Sequence, residues 1–330
     1  MQKIYFLEKS IPFNANDLNL SLVGGIEKIL INISNELGKD KNLNIKVFNE
    51  NKNNIKINNV EWYNLKDYKN HDEPDILIAF SDANLFDNLK CKKKFLWSNS
   101  VQSIEKFIRK KQLLPFLKHK PVIILDGDYH YNNRSLFTSL FGKKILKLAP
   151  DDEFINETVQ IDKLPEKNSI FITRSDRNLD ILINAWKSIF IKSSGSKLFV
   201  NPPFNLNSGI KKYSINIREK GSKSDLIKEL KLCRAMLIPG HKGEVFCLAA
   251  EEARELCIPI VTLGIGSLYE RVIHGQTGFI AKNIDEFINY SIQILNDDEL
   301  YLKLRKNLYK LRNSRSYRDV AKGLLKIINI

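Results

Sequence analysis

Ile238-Pro-Gly-His-Lys-Gly-Glu-Val-Phe-Cys-Leu-Ala-Ala-Glu-Glu252 is the stretch on which fold and site both turn. Its first three residues close a buried strand pattern, residues 241–243 are loop, and Val245 to Cys257 carries a helical apolar period. In that helix Glu251, Arg254 and Glu255 fall at i, i+3 and i+4 and predict a solvated face. Glu252 does not belong to it, because Leu248, Ala249 and Leu256 are its helical neighbours. A carboxylate carried to the apolar side is costly unless paired, and a hydroxyl-bearing ligand supplies that pairing. Glu244 lies about 12 Å away at 1.5 Å rise per residue, the reach from a hexose across a diphosphate to a ribose. Between them the free N–H groups of Phe246, Cys247 and Leu248, next to Val245, and the positive end of the helix dipole offer an anion site. The competing reading is an ordinary surface helix with Glu252 at a solvent rim.

Outward from this stretch, strand and helix signals alternate along the whole chain, which predicts parallel sheets. Strand-like runs such as 76–80, 94–97 and 122–125 in the first half and 170–173, 197–200 and 235–238 in the second give each half the strands of a Rossmann-like domain. The proline-bounded polar segment 150–168 is the linker candidate. At 330 residues and 43% hydrophobic content the chain is long enough for two cores. Cys91, Cys233, Cys247 and Cys257 have neither metal-ligand spacing nor a disulfide-rich context. With no apolar run near 18 residues and no leader-like start, a reduced cytoplasmic protein is expected.

Charge needs its own account, because the net value is +14. Residues 90–120 hold ten Lys or Arg against Glu105 alone, interleaved with apolar positions. Part of Lys90–Lys120 thus predicts a basic amphipathic helix with an anionic membrane surface as partner, or else a solvated face over core. No helix-turn-helix, RNP-like or zinc-knuckle signature points to nucleic acid.

From Pro239 to Ala281 the helix is followed by the strand Ile258-Pro-Ile-Val-Thr, the turn Gly264-Ile-Gly-Ser, a helix start containing Glu270, and the exit Gly275-Gln-Thr-Gly278. This run resembles the carboxy-terminal signature of the retaining glycosyltransferases of family 4, the glycosyltransferase group 1 of GT-B architecture, whose Glu-x7-Glu motif Glu244 and Glu252 match. Gly24 and Gly25 look like the Gly-Gly loop of that family, where backbone approaches a phosphate. The segment around Arg174 and Arg177 is similar to the one that grips the donor diphosphate, with Arg177 standing where relatives have a Lys.

The resemblance implies an α/β fold of two Rossmann-like domains with parallel sheets facing across a cleft. Residues 1–155 are then the acceptor domain, 156–310 the donor domain, and 311–330 a helix crossing back to the first. It implies transfer of a sugar, with retention, from a UDP- or GDP-sugar to a hydroxyl of a glycan or lipid-linked acceptor, without metal or other cofactor. Glu244, Arg174 and Arg177 are the catalytic candidates, and His241, Lys242 and Glu252 join the helix start in binding the donor. Where many members place a His after the fourth strand, this chain has Leu96-Trp-Ser-Asn-Ser100, so Asn99 or a serine takes the hydrogen-bonding part of that role. Asp126-Gly-Asp128 mimics an Asp-x-Asp metal motif, but its place in the first domain makes Asp126, Asp128 and His130 loop or acceptor-side residues. A sugar-nucleotide epimerase of the same architecture, or a non-catalytic nucleotide-sugar-binding or membrane-associated assembly protein, are the alternatives.

Overall fold

A computed structural model describes residues 1–19, 23–87, 90–202, 212–219 and 221–329. The chain divides into two compact units, 1–148 with 317–330, and 149–316. In the first, strands β1 (Gln2–Leu7), β2 (Leu43–Ile57), β3 (Val60–Asn64), β4 (Ile76–Phe80), β5 (Lys93–Ser98), β6 (Val122–Leu125) and β7 (Lys143–Ile145) form one sheet in the order β3-β2-β1-β4-β5-β6-β7. In the second, β8 (Asn168–Phe171), β9 (Lys197–Val200), β10 (Ile215–Ile217), β11 (Cys233–Leu237), β12 (Ile260–Thr262) and β13 (Gly278–Ile280) run in the order β10-β9-β8-β11-β12-β13. Pairing is parallel, as in β1 with β4 and β8 with β11. The central strands β4 and β11 are buried at every residue, the signature of a sheet covered on both faces.

Helices of the first unit are α1 (Gly25–Leu37), α2 (Ile104–Arg109), α3 (Leu113–His119), α4 (Asp128–Asn133) and, after the second unit, α11 (Tyr317–Ile328). Those of the second are α5 (Asp152–Ile155), α6 (Leu179–Lys192), α7 (Lys223–Lys231), α8 (Leu248–Glu255), α9 (Ile284–Asn296) and α10 (Asp298–Tyr309). Starts follow side-chain chemistry: Ser222 and Asp225 close a capping box on α7, and Asn283 accepts from the Glu286 N–H on α9. The last helix returns to the first unit, where Tyr317, Val320, Ala321, Leu324 and Ile328 are buried, and Lys93 Nζ reaches the Ile328 carbonyl at 3.3 Å.

The unit boundaries fall at Leu148/Ala149 and Ser316/Tyr317 rather than at 155/156 and 310/311. The segment after Ala149 is anchored in the second unit. Lys223 Nζ pairs with Asp151 Oδ2 at 2.9 Å and Glu153 Oε2 at 2.8 Å, and Phe154 belongs to the hydrophobic core of the second unit. Part of the linker candidate 150–168 is therefore folded: it contributes α5, and its end opens β8.

Candidate functional site

In the second sheet the chain leaves β8 toward β9 on one side and β11 toward β12 on the other, so the loops following β8 and β11 diverge. A parallel sheet opens a crevice at the carboxyl ends of its strands where the order reverses in this way. The loop after β8 carries Arg174, Asp176 and Arg177, and the loop after β11 carries His241, Lys242 and Glu244. Segments 64 residues or more apart in sequence thus share one end of one sheet.

The second loop is pinned from the following turn. Gly240 bridges to Ile265, the Leu263 N–H donates to Pro239 O at 3.1 Å, and the Ser267 N–H donates to Glu244 O at 2.9 Å. Gly266 sits at φ +78°, with its Cα against the His241 carbonyl where a side chain has no room. The first loop is held to the second, because Asn178, itself left-handed at φ +64°, donates to Gly240 O at 2.6 Å. Gly243 is flanked by Arg177 and His241, so its lack of a Cβ lets the guanidinium lie over the loop.

Arg177 Nη1 meets His241 Nδ1 at 2.7 Å, and the Gly243 N–H also donates to that nitrogen at 3.0 Å, making Nδ1 the acceptor. Arg177 Nε stands 3.7 Å from Asp176 Oδ1 and 3.8 Å from Glu244 Oε2. Both are ion-pair distances rather than hydrogen bonds, and this buried N–H has no hydrogen-bond partner among the described residues. Burial pushes the Glu244 carboxyl above the usual carboxylate range, while Arg177, the Cys247 N–H and Arg174 pull it back. Arg174 is exposed and pairs with Asp176 at 2.6 Å. The arrangement offers two guanidinium groups, one with a buried unmet donor, beside a desolvated carboxylate.

Around α8 the structure corrects the sequence reading twice. The helix starts at Leu248 instead of Val245, because Cys247 takes φ +61° and Val245 and Phe246 turn into the interior. The first turn of the helix, with its N–H groups, therefore begins two residues after Phe246. The predicted solvated face is buried instead: Glu251 and Glu255 are covered and Arg254 joins them at 2.6 and 3.0 Å. The cover comes from two places that periodicity does not see. Arg271 lies over the Phe246 ring at 4.0 Å and pairs with Glu251 at 3.1 Å, and the Asn313 N–H donates to Glu255 at 2.9 Å. Glu252 is 9% exposed on the same helix, and Glu270 pairs with Arg271 at 3.7 Å. Arg271, Asp176 and Asn178 were not singled out by sequence; adjacency to Glu270, to both arginines and to the α6 start was the available signal.

In the first unit Gly24 caps α1 and Gly25 begins it. A Cβ on Gly24 would come within 2.7 Å of the Glu27 carboxylate. Ser10 Oγ lies 2.6 Å from Glu27 and 2.9 Å from Glu8, whose carboxyl burial raises. This loop therefore presents carboxylates where a phosphate was expected, a field that favours hydroxyl over phosphate oxygen.

Asn99, Asp126 and His130 meet at the ends of β5 and β6. Trp97 Nε1 donates to Asp126 Oδ1 at 2.7 Å and Asn99 Nδ2 lies 3.4 Å from Oδ2. His130 Nδ1 accepts the Asp126 N–H at 3.2 Å and Nε2 donates to Ser100 O at 3.1 Å; burial lowers its pKa to about 4, so the ring is neutral. With both nitrogens engaged and no exposure, His130 shapes the loop that carries Asn99. Asp128 instead pairs with Lys147 at the surface at 2.6 Å. Among the described residues no group of three or more His, Cys, Asp or Glu is placed to hold a metal ion.

Residues 166–311 match the family described as Glycosyl transferases group 1. No curated protein matches the sequence. Among solved structures, sucrose-phosphate synthase from Thermosynechococcus elongatus is similar over 100% of this chain and 98% of its own at 11% identity, with a TM-score of 0.74. Trehalose-6-phosphate synthase, OtsA, covers 99% of each chain at 9% identity and TM-score 0.73. The Anabaena protein HepE in complex with UDP covers 99% of this chain and 100% of its own at 14% identity and TM-score 0.71. The fold is the two-Rossmann-unit GT-B fold that the sequence predicts.

Proposed function

Residues 166–311 match the group 1 glycosyl transferases, the chain carries the fold of that group, and on this footing we propose that it is a retaining transferase of family 4. It moves a sugar from a nucleoside diphosphate sugar to a hydroxyl of a glycan or lipid-linked acceptor in cell-surface polysaccharide, lipopolysaccharide or glycolipid synthesis. The observation that carries this reading is the unmet Arg177 Nε–H, held beside Arg174, His241 and Glu244 at the β8/β11 switch point. A diphosphate oxygen satisfies that donor. Similarity to a protein solved with UDP and with UDP-glucose favours UDP as the nucleotide.

In this reading Arg174 and Arg177 hold the diphosphate, Glu244 takes hydroxyls of the donor sugar, and Glu252 takes the ribose. As the anomeric C–O bond lengthens, charge grows on the departing phosphate, and the two guanidinium groups stabilise it. The same phosphate oxygen accepts the acceptor proton as the new C–O bond forms on the same face. Two fixed cations do the work that a divalent ion does elsewhere, so activity is expected to survive EDTA. A cytoplasmic site, peripheral on the inner face of a membrane, suits a lipid-linked acceptor.

A thermal-shift screen without added metal, against UDP, GDP, ADP, CMP and their sugar conjugates, tests the donor site. A rise selective for one nucleoside diphosphate, lost in Arg177→Ala and Glu252→Ala, is expected. No shift with any of them at millimolar concentration overturns the reading. Conversion of donor without acceptor points to an epimerase instead.

A further inference from the structure

In the first unit, α2, α3 and the 3-10 turn Leu136–Ser139 are tied together by phenylalanines. Ring centroids of Phe107 and Phe116 lie 5.2 Å apart, those of Phe137 lie 5.6 and 5.1 Å from them, and Phe141 lies 5.3 Å from Phe116. The Ser135 N–H, donating to Gln102 O at 3.2 Å, adds a backbone tie. Short helices that bury an aromatic cluster ordinarily give solvent their polar residues. Here six aliphatic side chains face outward beside the cluster: Ile108 is 57% exposed, Leu136 80% and Leu140 61%, with Leu114 at 77% and Ile104 and Leu117 also exposed. On α2 and α3 the pairs 104/108 and 114/117 are spaced to share one side of each helix, and Leu136 and Leu140 flank the 3-10 turn. Single exposed leucines need no cause, but six around one cluster make a patch.

Charge around the patch is mostly positive, with Glu105 exposed on α2 and Asp87 paired with Lys118 at 2.9 Å as the exceptions beside the helices. Residues 101–147 contain ten Lys or Arg against three Asp or Glu, and one of the acids, Asp126, is buried. Arg109, Lys110, Lys111, Lys118 and Lys120 are exposed on α2, α3 and the turns after them, and Lys143 and Lys144 on the neighbouring strand β7. A second copy of this chain would bring the same charge to the contact and be repelled. Nucleic acid would gain nothing from six aliphatic side chains. An anionic lipid leaflet satisfies both, taking aliphatic groups at the acyl boundary and ammonium groups among its headgroups.

We propose that α2, α3 and Leu136–Ser139 form a docking face for an anionic lipid leaflet, in the plane of the interface. The proposal deepens the reading above, resting on it only for what the docking delivers, a lipid-linked acceptor hydroxyl. Among the described residues no helix is long and apolar enough to cross a membrane.

Co-sedimentation of the full chain with phosphatidylcholine vesicles, with and without phosphatidylglycerol, at low and high salt, tests it. Binding at least about tenfold stronger to the anionic vesicles, falling with salt, is expected. Leu114→Gln with Leu136→Gln, and separately Lys110→Glu with Lys111→Glu, should each lower it at least about tenfold with the melting temperature held. Both pairs are exposed, so folding is not at stake. Equal binding to both vesicles, no binding, or variants that bind like the parent overturn the proposal. So does a dimer in sedimentation velocity that the leucine pair dissolves, which makes a second copy the occupant. Arg177→Ala should bind vesicles like the parent, so failure of the donor reading leaves this result standing.

Discussion

Replacing Arg177 by alanine removes a guanidinium shared among His241 at 2.7 Å, Asp176 at 3.7 Å and Glu244 at 3.8 Å. In the free protein one hydrogen bond is lost and two longer attractions vanish, at a side chain 16% exposed. Such partly solvated contacts contribute on the order of 1–2 kcal/mol together, which lowers the melting temperature by roughly 2–8 °C for a unit of this size. In the proposed donor complex the same group would give a charge-assisted hydrogen bond of about 1.5–3 kcal/mol, so the Kd for the nucleoside diphosphate should rise about 10- to 200-fold in the variant. Turnover falls further, at least about a hundredfold, because the leaving phosphate carries more charge in the transition state than in the ground state. Arg177→Lys keeps a cation without the planar fork and should fall between parent and alanine. Calorimetric titration with the nucleotide selected in the screen, and initial rates with its sugar conjugate, measure both. Parent-like Kd and turnover in Arg177→Ala, with the fold intact, would refute the assignment of the diphosphate to this loop.

Glu244→Ala should lower turnover at least about a hundredfold without unfolding the chain. Because burial raises the Glu244 carboxyl in the folded state, that state binds the proton more tightly than the unfolded one, and the stability so gained is lost as pH rises through the folded value. Glu244→Gln should therefore gain melting temperature relative to the parent as pH is raised from 4 toward 7; a pH-independent difference would remove the desolvated carboxylate from the account. His130 works in the opposite direction: its pKa is lowered to about 4, so stability should fall as pH drops below about 6.5, by up to roughly 3 kcal/mol. Its NMR resonances should show no titration between pH 5 and 8, and a midpoint in that range would contradict the buried, doubly bonded ring. Arg271→Ala uncovers Phe246 and leaves Glu251 with Arg254 alone; roughly 3 kcal/mol of stability is at stake by urea denaturation, and a change under 1 kcal/mol would contradict the buried pairing.

Alternation of strand and helix was enough to read two parallel-sheet units, because short apolar runs such as 76–80 and 235–238 are local and strong signals. That the loops carrying Arg177 and Glu244 come together was legible because both follow strands directly, and a loop after a parallel strand has few places to go. Glu251 and Glu255 were misread because helical periodicity reports which side of a helix is polar, never what will come to lie on that side. Arg271 and the Asn313 N–H arrive from distant turns and convert a wet face to an ion-pair network. The α8 start was displaced for a similar reason: the left-handed Cys247 depends on tertiary packing of Val245 and Phe246 and overrides the apolar period. Carboxylates beside Gly24 were equally hidden, since Glu8 reaches that loop from β1 through Ser10.

The return of α11 has a consequence for synthesis. The first unit is made of two stretches of chain with all of 149–316 between them, so its hydrophobic face on α1 waits uncovered until the second unit has left the ribosome. At about 5–20 residues per second that wait is on the order of 10–30 s, far longer than a helix or a hairpin needs to form. During it the side of α1 that packs on α11 stays uncovered. The second unit, continuous in sequence, has no such delay, and completes its crevice while its neighbour is still short of a helix.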